Sequence, residues 1–228
     1  RKCFKTNVLG SLNLLEYCKK SKPKNLIFSS SMAIYGKNSK KNNEKSIPSP
    51  ISYYGLSKLN GEKILLNLEN SGINVTIFRI FNAYGVFQDY NNVHQGMLSI
   101  YLSQIYRYSK VKVTGSLSRT RDFIYIDDII NAFTNQKILN YKYSNIFNLG
   151  SGKEVKVSAL LKKLFTYLNM KYKVFILEKH SGDTKNSCAN ISLIKKTGWK
   201  NKTSLKQGIK KVINNLKIFD ENNSSFNR

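Results

Sequence analysis

The sequence predicts an α/β fold built on a parallel sheet. Short apolar runs of strand length alternate with longer segments in which apolar residues recur every three or four positions, the spacing of one helix face. Apolar residues fill the strand-length runs almost without interruption, which is typical of parallel strands covered by helices on both faces. The length of 228 residues and the 41% hydrophobic content are enough for one or two domains with a buried core.

The first part of the chain is predicted to alternate helix and strand twice. Leu12 and Cys18 belong to the apolar face of the first helix, which Pro23 follows. Ser71 and Gly72 end the second helix. The predicted elements are a helix at about 4–20, a strand at 25–30, a polar loop at 36–50, a helix at 52–69 and a strand at 74–81.

The second part is predicted to contain three strands and five helices. Asp127 or Asp128 is a natural N-cap for the helix after the second of these strands. Ser204 and Gln207 form a capping box that starts the last helix. The predicted elements are a helix at 96–108, strands at 110–113, 123–126 and 146–149, and helices near 157–169, 189–197 and 204–216.

The chain is strongly basic. Lys and Arg number 38 against 13 Asp and Glu, so the net charge is 38 − 13 = +25. One interpretation is a surface for nucleic acid or an acidic membrane. The other, which we favour, is a bias of composition, because only six of the basic residues are Arg and the many Lys residues are dispersed among 27 Asn. Nucleic-acid interfaces favour Arg.

Cysteine usage and hydropathy indicate a cytoplasmic protein. Cys3, Cys18 and Cys188 are odd in number and far apart, which argues against a disulfide scaffold or a zinc site. No apolar run approaches the roughly 18 residues of a membrane-spanning helix. We therefore expect a protein of the reducing cytoplasm, with no metal site and with neither nucleic acid nor membrane as a partner.

Tyr54 and Lys58 form a Tyr-x-x-x-Lys motif on the second predicted helix. A spacing of four places both side chains on one helix face, and an ammonium near a phenol lowers the pKa of the phenol from about 10. Such a tyrosine can act as general acid and base on an alcohol. The serines at 29–31 end the first strand, where ligands bind in open parallel sheets. A serine hydroxyl there can bridge a substrate hydroxyl and the tyrosine.

Five motifs in order resemble the extended short-chain dehydrogenase/reductase family, and most closely its NAD-dependent nucleotide-sugar epimerases and dehydratases of the UDP-glucose 4-epimerase type. The resemblance covers about residues 7–216. It implies part of a Rossmann-like doubly wound parallel sheet, with a smaller C-terminal α/β region that binds substrate. The motifs are Ser-Ser-Ser-Met-Ala-Ile-Tyr-Gly at 29–36, Tyr-x-x-x-Lys at 54–58, Arg-Ile-Phe-Asn-Ala-Tyr-Gly at 79–85, Arg-Asp-Phe-Ile-Tyr-Ile-Asp-Asp at 121–128 and Asn-Leu-Gly-Ser-Gly at 148–152.

The resemblance also implies a division of the chain. Residues 1–85 are expected to be the C-terminal part of the NAD-binding domain, and residues 86–218 mainly the region that binds the nucleotide sugar. Strands near 121–126 and 145–150 are candidates to return to the sheet. Residues 219–228 are expected to form a frayed tail.

The resemblance implies a catalytic group of three residues and a cofactor site beside it. Tyr54 is expected to take the proton of the sugar 4-hydroxyl, Ser31 to position that hydroxyl, and Lys58 to lower the pKa of Tyr54. Lys58 and Tyr54 are also expected to contact the nicotinamide ribose of NAD. Asn7 and Ser29 are expected to lie on the cofactor side.

The resemblance places the substrate on four residues. Ser31 and Asn82 are expected to bind the sugar or phosphate, and Arg121 to hold the pyrophosphate through its guanidinium fork. The family often has an arginine just before a late Gly-Asp pair, where this chain has Lys179 and His180. His180 is therefore a candidate for the second phosphate contact, and either of the two residues could take the place of that arginine.

The chain lacks the glycine-rich turn with which the family's fold begins. The acidic residue that follows that turn and binds the adenine ribose is also missing. Residue 1 is not Met, and the first helical pattern begins within the first few residues. We therefore expect this chain to be the C-terminal two-thirds of a longer fold.

The predicted function is NAD-dependent 4-epimerisation of a nucleotide sugar, of the UDP-glucose or UDP-N-acetylglucosamine type, by transient oxidation at C4. The intact enzyme is expected to be a homodimer that pairs its first two helices. Met32 and Ala33 stand where 4,6-dehydratases of the family have an Asp-Glu pair, so elimination is not expected. The alternatives are a 4,6-dehydratase or another oxidoreductase of the family, a non-catalytic remnant, and a basic nucleic-acid-binding module.

Overall fold

Helices alternate with parallel strands along the chain, which confirms the predicted α/β class. The computed structural model describes residues 2–37, 41–90, 92, 95–141, 145–178 and 185–226, with the backbone alone for 218–226. The strands are β1 (Asn25–Ser31), β2 (Asn74–Ile80), β3 (Asn82–Tyr84), β4 (Lys110–Thr114), β5 (Thr120–Arg121), β6 (Phe123–Tyr125), β7 (Ile146–Leu149), β8 (Val155–Lys156) and β9 (Lys173–Leu177).

The α-helices are α1 (Lys2–Phe4), α2 (Gly10–Ser21), α3 (Tyr53–Leu66), α4 (Met97–Tyr108), α5 (Ile126–Phe133), α6 (Gln136–Leu139), α7 (Val157–Leu168), α8 (Ser192–Lys195) and α9 (Leu205–Phe226). A π-helical turn at Lys5–Leu9 joins α1 to α2. A short 3₁₀ turn at Met32–Tyr35 follows β1, and another at Asn67–Ser71 follows α3.

The main sheet consists of three parallel strands in the order β1–β2–β7. β2 is the central strand, and its five inner residues are buried. The sheet is covered on both faces, as a doubly wound arrangement requires. Two buried clusters pack against it. One contains Cys18, Leu65, Leu68, Val75 and Ile77, and the other contains Ile34, Phe78, Ile124, Phe147 and Trp199.

Helix α3 packs closely on β1 and α2 because Gly61 has no side chain. A Cβ atom at Gly61 would lie 2.7 Å from Cζ of Phe28 and 3.0 Å from Oγ of Ser11. The loss of helix propensity at this glycine is therefore offset by the close approach of helix and strand. This contact fixes α3, with its Tyr-x-x-x-Lys motif, against the strand that ends in the three serines.

A second region is built on shorter strand pairs. β3 pairs with β6 and β4 with β9, both in parallel, and β5 pairs with β8 in antiparallel. Helices α4, α7 and α9 cover these pairs around a large apolar core. Two strands were predicted to be able to join the main sheet. The one near 145–150, which is β7, lies beside β2 in that sheet, whereas the one near 121–126, which is β6, pairs with β3. The division at residue 85 stays a prediction.

The predicted N-cap of α5 is wrong. The helix begins at Ile126, its N-cap is Tyr125, and Asp127 and Asp128 both lie in its first turn. Asp128 is buried, and its carboxylate accepts the backbone N–H groups of Lys202 at 2.7 Å and Thr203 at 3.1 Å. The carboxylate therefore binds the segment before α9 instead of its own helix end.

Several further elements differ from the prediction. The helix expected near 189–197 is confined to α8, and the last helix continues past 216 to Phe226, which includes most of the expected tail. β9, the short strands β3, β5 and β8, and the short helix α6 were not predicted. The Ser204–Gln207 capping box is confirmed, because Oε1 of Gln207 accepts the Ser204 N–H at 2.9 Å and the Ser204 Oγ accepts the Gln207 N–H at 3.3 Å.

Candidate active site

The first strand ends at a serine turn. Oγ of Ser31 accepts the backbone N–H of Ala33 at 3.2 Å and so begins the 3₁₀ turn that follows β1. Ser29 is exposed on the same strand end, and Ser30 is buried. Because β1 is parallel to β2, this is the carboxyl edge of the main sheet, where open α/β sheets bind their ligands.

The start of α3 places Tyr54 beside this turn. Oγ of Ser52 accepts the Gly55 N–H at 3.0 Å and caps the helix, so Tyr54 lies in the first turn. Gly55 allows the helix to approach the serine turn, since a Cβ atom there would lie 2.5 Å from the carbonyl oxygen of Ala33. Tyr54 keeps 44% of its surface exposed and is accessible to a ligand.

The side chain of Ser31 lies beside the phenol of Tyr54. Burial raises the pKa of Tyr54 above its ordinary value, hydrogen bonding toward Ser31 lowers it in part, and the nearby Cys3 raises it further. The sequence predicts that Lys58 lowers this pKa. Burial, Ser31 and Cys3 account for the shift and its net direction is upward, so the role of Lys58 in lowering this pKa stays a prediction.

The ammonium of Lys58 is bound to the end of β1. Its Nζ donates to the carbonyl oxygen of Ser29 at 2.9 Å and lies 5.2 Å from the ring centroid of Phe28. The distance to the Tyr54 ring centroid is 6.0 Å. Burial lowers the pKa of Lys58. The cation is thus adjacent to the phenol but is held by a backbone carbonyl.

Asn7 contacts the helix that contains the motif. It lies in the π-helical turn, a feature that is frequent at functional sites. Its Nδ2 donates to Oγ of Ser57 at 2.9 Å, and Ser57, which is fully buried, donates to the carbonyl oxygen of Tyr54 at 2.8 Å. The predicted cofactor contact of Asn7 stays a prediction.

Asn82 bonds to the residue that follows Arg121, so the two predicted substrate contacts lie near each other. Asn82 pairs with Phe123 in the β3–β6 register, and its Nδ2 donates to the carbonyl oxygen of Asp122 at 2.8 Å. Arg121 is only 3% exposed, and its Nη1 donates to the carbonyl oxygens of Thr120 at 2.7 Å and Lys185 at 3.5 Å. His180 and Lys179 lie outside the described residues.

Asp122 is a functional candidate that the sequence analysis did not identify. It is fully buried, and one carboxylate oxygen accepts the N–H of Ser151 at 2.8 Å and its Oγ at 2.6 Å. The other oxygen accepts the N–H groups of Gly152 at 2.9 Å and Ala189 at 3.1 Å. Burial raises the pKa of Asp122, and these bonds lower it in part. Asp122 thereby fixes the Gly-Ser-Gly turn beside the Arg121 strand.

A buried ion pair behind the serine turn was also not predicted. Nη2 of Arg79 lies 2.8 Å from Oε2 of Glu62, and both side chains are at most 5% exposed. Arg79 also donates to the hydroxyl of Tyr35 at 3.1 Å, which in turn donates to Oδ1 of Asn148 at 2.6 Å. Burial raises the pKa of Tyr35 to about 12, so this hydroxyl stays protonated. The network connects α3, β2, β7 and the turn after β1.

The described residues contain no group of three or more His, Cys, Asp or Glu side chains that could hold a metal ion. No helix within the described ranges is both long enough and apolar enough to cross a membrane.

The model of the NAD-dependent epimerase/dehydratase family matches residues 1–150, well over half of the chain. The chain belongs to this family. The match confirms the resemblance inferred from the five motifs, and it includes the three residues Ser31, Tyr54 and Lys58.

Individual members of the NAD-dependent epimerase/dehydratase family show how far the similarity extends. A Methanocaldococcus jannaschii protein described as a candidate UDP-glucose 4-epimerase is 33% identical over 214 residues, which cover 92% of this chain and 69% of that protein. The chain spans about two thirds of the length of the curated relatives it matches.

Solved structures of family members have the same fold. The Thermotoga maritima UDP-glucose 4-epimerase, solved with UDP-glucose, is 32% identical, with a TM-score of 0.87 over 95% of this chain and 71% of that one. The Thermus thermophilus UDP-glucose 4-epimerase, solved with NAD, is 26% identical, with a TM-score of 0.85 over 94% of this chain and 70% of that one. The Rossmann-like fold implied by the motifs is therefore confirmed.

Proposed function

We propose that this chain forms the acid/base and substrate-binding part of an NAD-dependent nucleotide-sugar 4-epimerase, of the UDP-glucose or UDP-N-acetylglucosamine type, in the cytoplasm. The observation that supports this most is the placement of Tyr54 beside the serine turn at the carboxyl edge of the sheet, with Lys58 one helical turn away along α3. The names of the similar proteins, UDP-glucose 4-epimerases solved with UDP-glucose and with NAD, agree with this chemistry.

The residues present suit one end of NAD. The phenol of Tyr54 is accessible, and Lys58 and Ser29 lie together at the end of β1, so a ribose hydroxyl could bond there. Tyr54, Lys58 and Ser29 would hold the nicotinamide ribose, with Asn7 on the same side. Bound NAD supplies a hydride acceptor and donor for C4 of the sugar.

The chain's own residues move and hold the proton of the sugar 4-hydroxyl. The Ser31 hydroxyl orients that hydroxyl toward Tyr54, and the phenolate of Tyr54 accepts the proton as the C4–H bond is broken. Because burial raises the pKa of Tyr54, the phenolate needs a nearby cation at neutral pH, and the ammonium of Lys58 is positioned for this. Tyr54 returns the proton when C4 is reduced on the opposite face.

The nucleotide is proposed to bind beside the β3–β6 pair, close to Arg121 in β5. Asn82 offers an amide to the sugar or phosphate, and Arg121 offers a guanidinium to the pyrophosphate. Arg121 is bonded to two backbone carbonyls, so we expect one of these bonds to be exchanged for a phosphate oxygen. His180 is the proposed second phosphate contact.

The reaction is expected to stop at epimerisation. Elimination of water across C5 and C6 requires a second acid and base beside Tyr54, and the residues after Ser31 are Met32 and Ala33, which cannot transfer protons. We expect the whole protein, given NAD and UDP-glucose, to form UDP-galactose. NMR of the reaction mixture measures this product. A 4-keto-6-deoxy sugar or released CO₂ as the main product would refute the 4-epimerase proposal in favour of another reaction of the family.

This chain by itself is expected to bind NAD weakly. Most of a dinucleotide is held by a glycine-rich turn at a helix N-terminus, and the sequence contains no such turn after a strand. Tyr54, Lys58 and Ser29 contact the nicotinamide end alone. Calorimetry should therefore give a Kd well above about 10 µM for the 228-residue chain. A Kd below that value would show that the present residues hold the whole cofactor.

A homodimer is proposed to form through α2 and α3. These helices pack against each other. Leu9 in the π-helical turn before α2, Leu12 in α2 and Leu56 in α3 are 52%, 41% and 39% exposed, so an isologous contact would cover them. We expect light scattering of the whole protein to give a dimer, and Leu12→Glu to weaken it. Phe165→Glu is the matched control, because Phe165 is equally exposed on α7. A monomeric wild-type protein at tens of micromolar would exclude this interface.

A further inference from the structure

β9 leaves an apolar strand edge at the surface of the described part of the chain. It pairs there with β4 alone, and all five of its residues are exposed. Ile176 is 62% exposed, and Val174, Phe175 and Leu177 are each more than 40% exposed. A strand with an unpaired edge and apolar side chains is a template for pairing with another extended segment.

The ladder with β4 determines which backbone groups of β9 are available. The Lys173 N–H donates to the Ser109 carbonyl at 3.0 Å, and the Leu177 carbonyl accepts the Gly115 N–H at 3.0 Å. Successive residues of a strand direct their backbone groups to opposite edges. Val174 and Ile176 therefore direct their N–H and C=O groups away from β4, and an added strand can bond to them without disturbing the β4–β9 pair.

One face of this strand pair is basic. Lys110 lies opposite Lys173 in the register, and Lys112 lies two residues further along β4, so the three side chains share a face. All three are exposed. Lys110 and Lys112 also line a hollow of about 240 Å³ with Tyr108. The single acidic group adjoining β9 in sequence is Glu178, directly after the strand.

The other face of β9 is apolar. Val174 and Ile176 alternate with Lys173 and Phe175, so their side chains point away from the lysines. A strand added at this edge would thus meet positive charge on one face and aliphatic groups on the other. A segment that alternates acidic and apolar residues matches both.

We propose that the open edge of β9 binds an extended segment of an acidic partner protein, in which acidic and apolar residues alternate. A second copy of this chain fits less well, because each copy has a net charge of +25 and brings the same lysines to the contact. Nucleic acid fits less well, because it has no backbone N–H and C=O pairs to continue a sheet. This proposal is independent of the epimerase proposal.

The test uses a synthetic peptide of about nine alternating Glu and Val residues, labelled with a fluorophore, and the whole protein. We expect saturable binding in fluorescence anisotropy that weakens as salt rises, and much weaker binding of the matched Lys–Val peptide. Ile176→Pro removes one outward N–H and leaves the bonds to β4 in place, so it should weaken binding at least about tenfold.

Charge variants provide a second test that does not depend on the proline variant folding. Lys173→Glu should weaken binding of the Glu–Val peptide, whereas Lys200→Glu, at an exposed site elsewhere in the sequence, should not. Thermal unfolding of each variant verifies the fold. The proposal would be overturned if the folded Ile176→Pro variant bound the Glu–Val peptide as tightly as the wild type does. It would also be overturned if the wild type bound the Lys–Val and Glu–Val peptides equally well. Self-association that Ile176→Pro abolishes, or displacement of the peptide by equimolar duplex DNA, would overturn it too.

Discussion

Tyr54→Phe is expected to lower kcat for 4-epimerisation by about 10³-fold, because it removes the group that takes and returns the proton of the 4-hydroxyl. KM for the nucleotide sugar should change little, since the variant keeps the ring and the hydroxyl contributes mainly in the transition state. The measurement is the steady-state rate of the whole protein with NAD and UDP-glucose, at several pH values. The wild-type rate should rise with pH, because burial raises the pKa of Tyr54 and the phenolate is the active form.

Tyr53→Phe is the matched control for this variant. Tyr53 precedes Tyr54 at the start of the same helix and is 81% exposed, so loss of its hydroxyl should leave kcat unchanged. Equal rates for Tyr54→Phe and Tyr53→Phe would mean that the proton is moved by another group and that the proposed acid/base role of Tyr54 is wrong.

Glu62→Ala is expected to reduce the free energy of unfolding by about 3–5 kcal/mol. The substitution leaves the guanidinium of Arg79 buried without the carboxylate that it contacts at 2.8 Å. Trp199, the single tryptophan, is 2% exposed and reports unfolding through its fluorescence in urea. The loss should be accompanied by displacement of Tyr35, because its hydroxyl accepts a bond from Arg79.

Glu16→Ala is the corresponding surface control. Glu16 contacts Lys19 at 3.4 Å, and both side chains are about half exposed or more, so its loss should cost less than about 1 kcal/mol. A Glu62→Ala protein as stable as Glu16→Ala would show that Arg79 finds other partners, and that the buried network does not stabilise the serine turn.

The sequence predicts the elements of the active site well because their signals are local. A helix is predicted from about residue 52, Tyr54 and Lys58 follow at a spacing of four, and the serines end a strand of apolar residues. The structure shows that these elements are adjacent. The direction of the Tyr54 pKa could not be predicted, because it depends on how deeply the phenol is buried and on which carbonyl holds Lys58.

Partners that are distant in sequence escape this kind of reasoning. Asp122 bonds to a turn that lies 29 residues later in the sequence. Glu62 in α3 bonds to Arg79 in β2. A signal was present in each case, because Arg79 lies inside a strongly apolar strand and Asp122 directly before one, and a charged residue at such a position requires a buried partner. The sequence identifies the need for a partner there but not its identity. The open edge of β9 likewise becomes visible only when its single pairing with β4 is known.

Transfer of a label at C4 tests the central claim most directly. The whole protein with NAD is given UDP-glucose that contains deuterium at C4, and the product is analysed by NMR and mass spectrometry. If Ser31 and Tyr54 support transient oxidation at C4, the UDP-galactose formed retains the deuterium at C4, and no solvent hydrogen enters that position. Loss of the deuterium to solvent during epimerisation would contradict this mechanism. So would label retention at an undiminished rate in Tyr54→Phe.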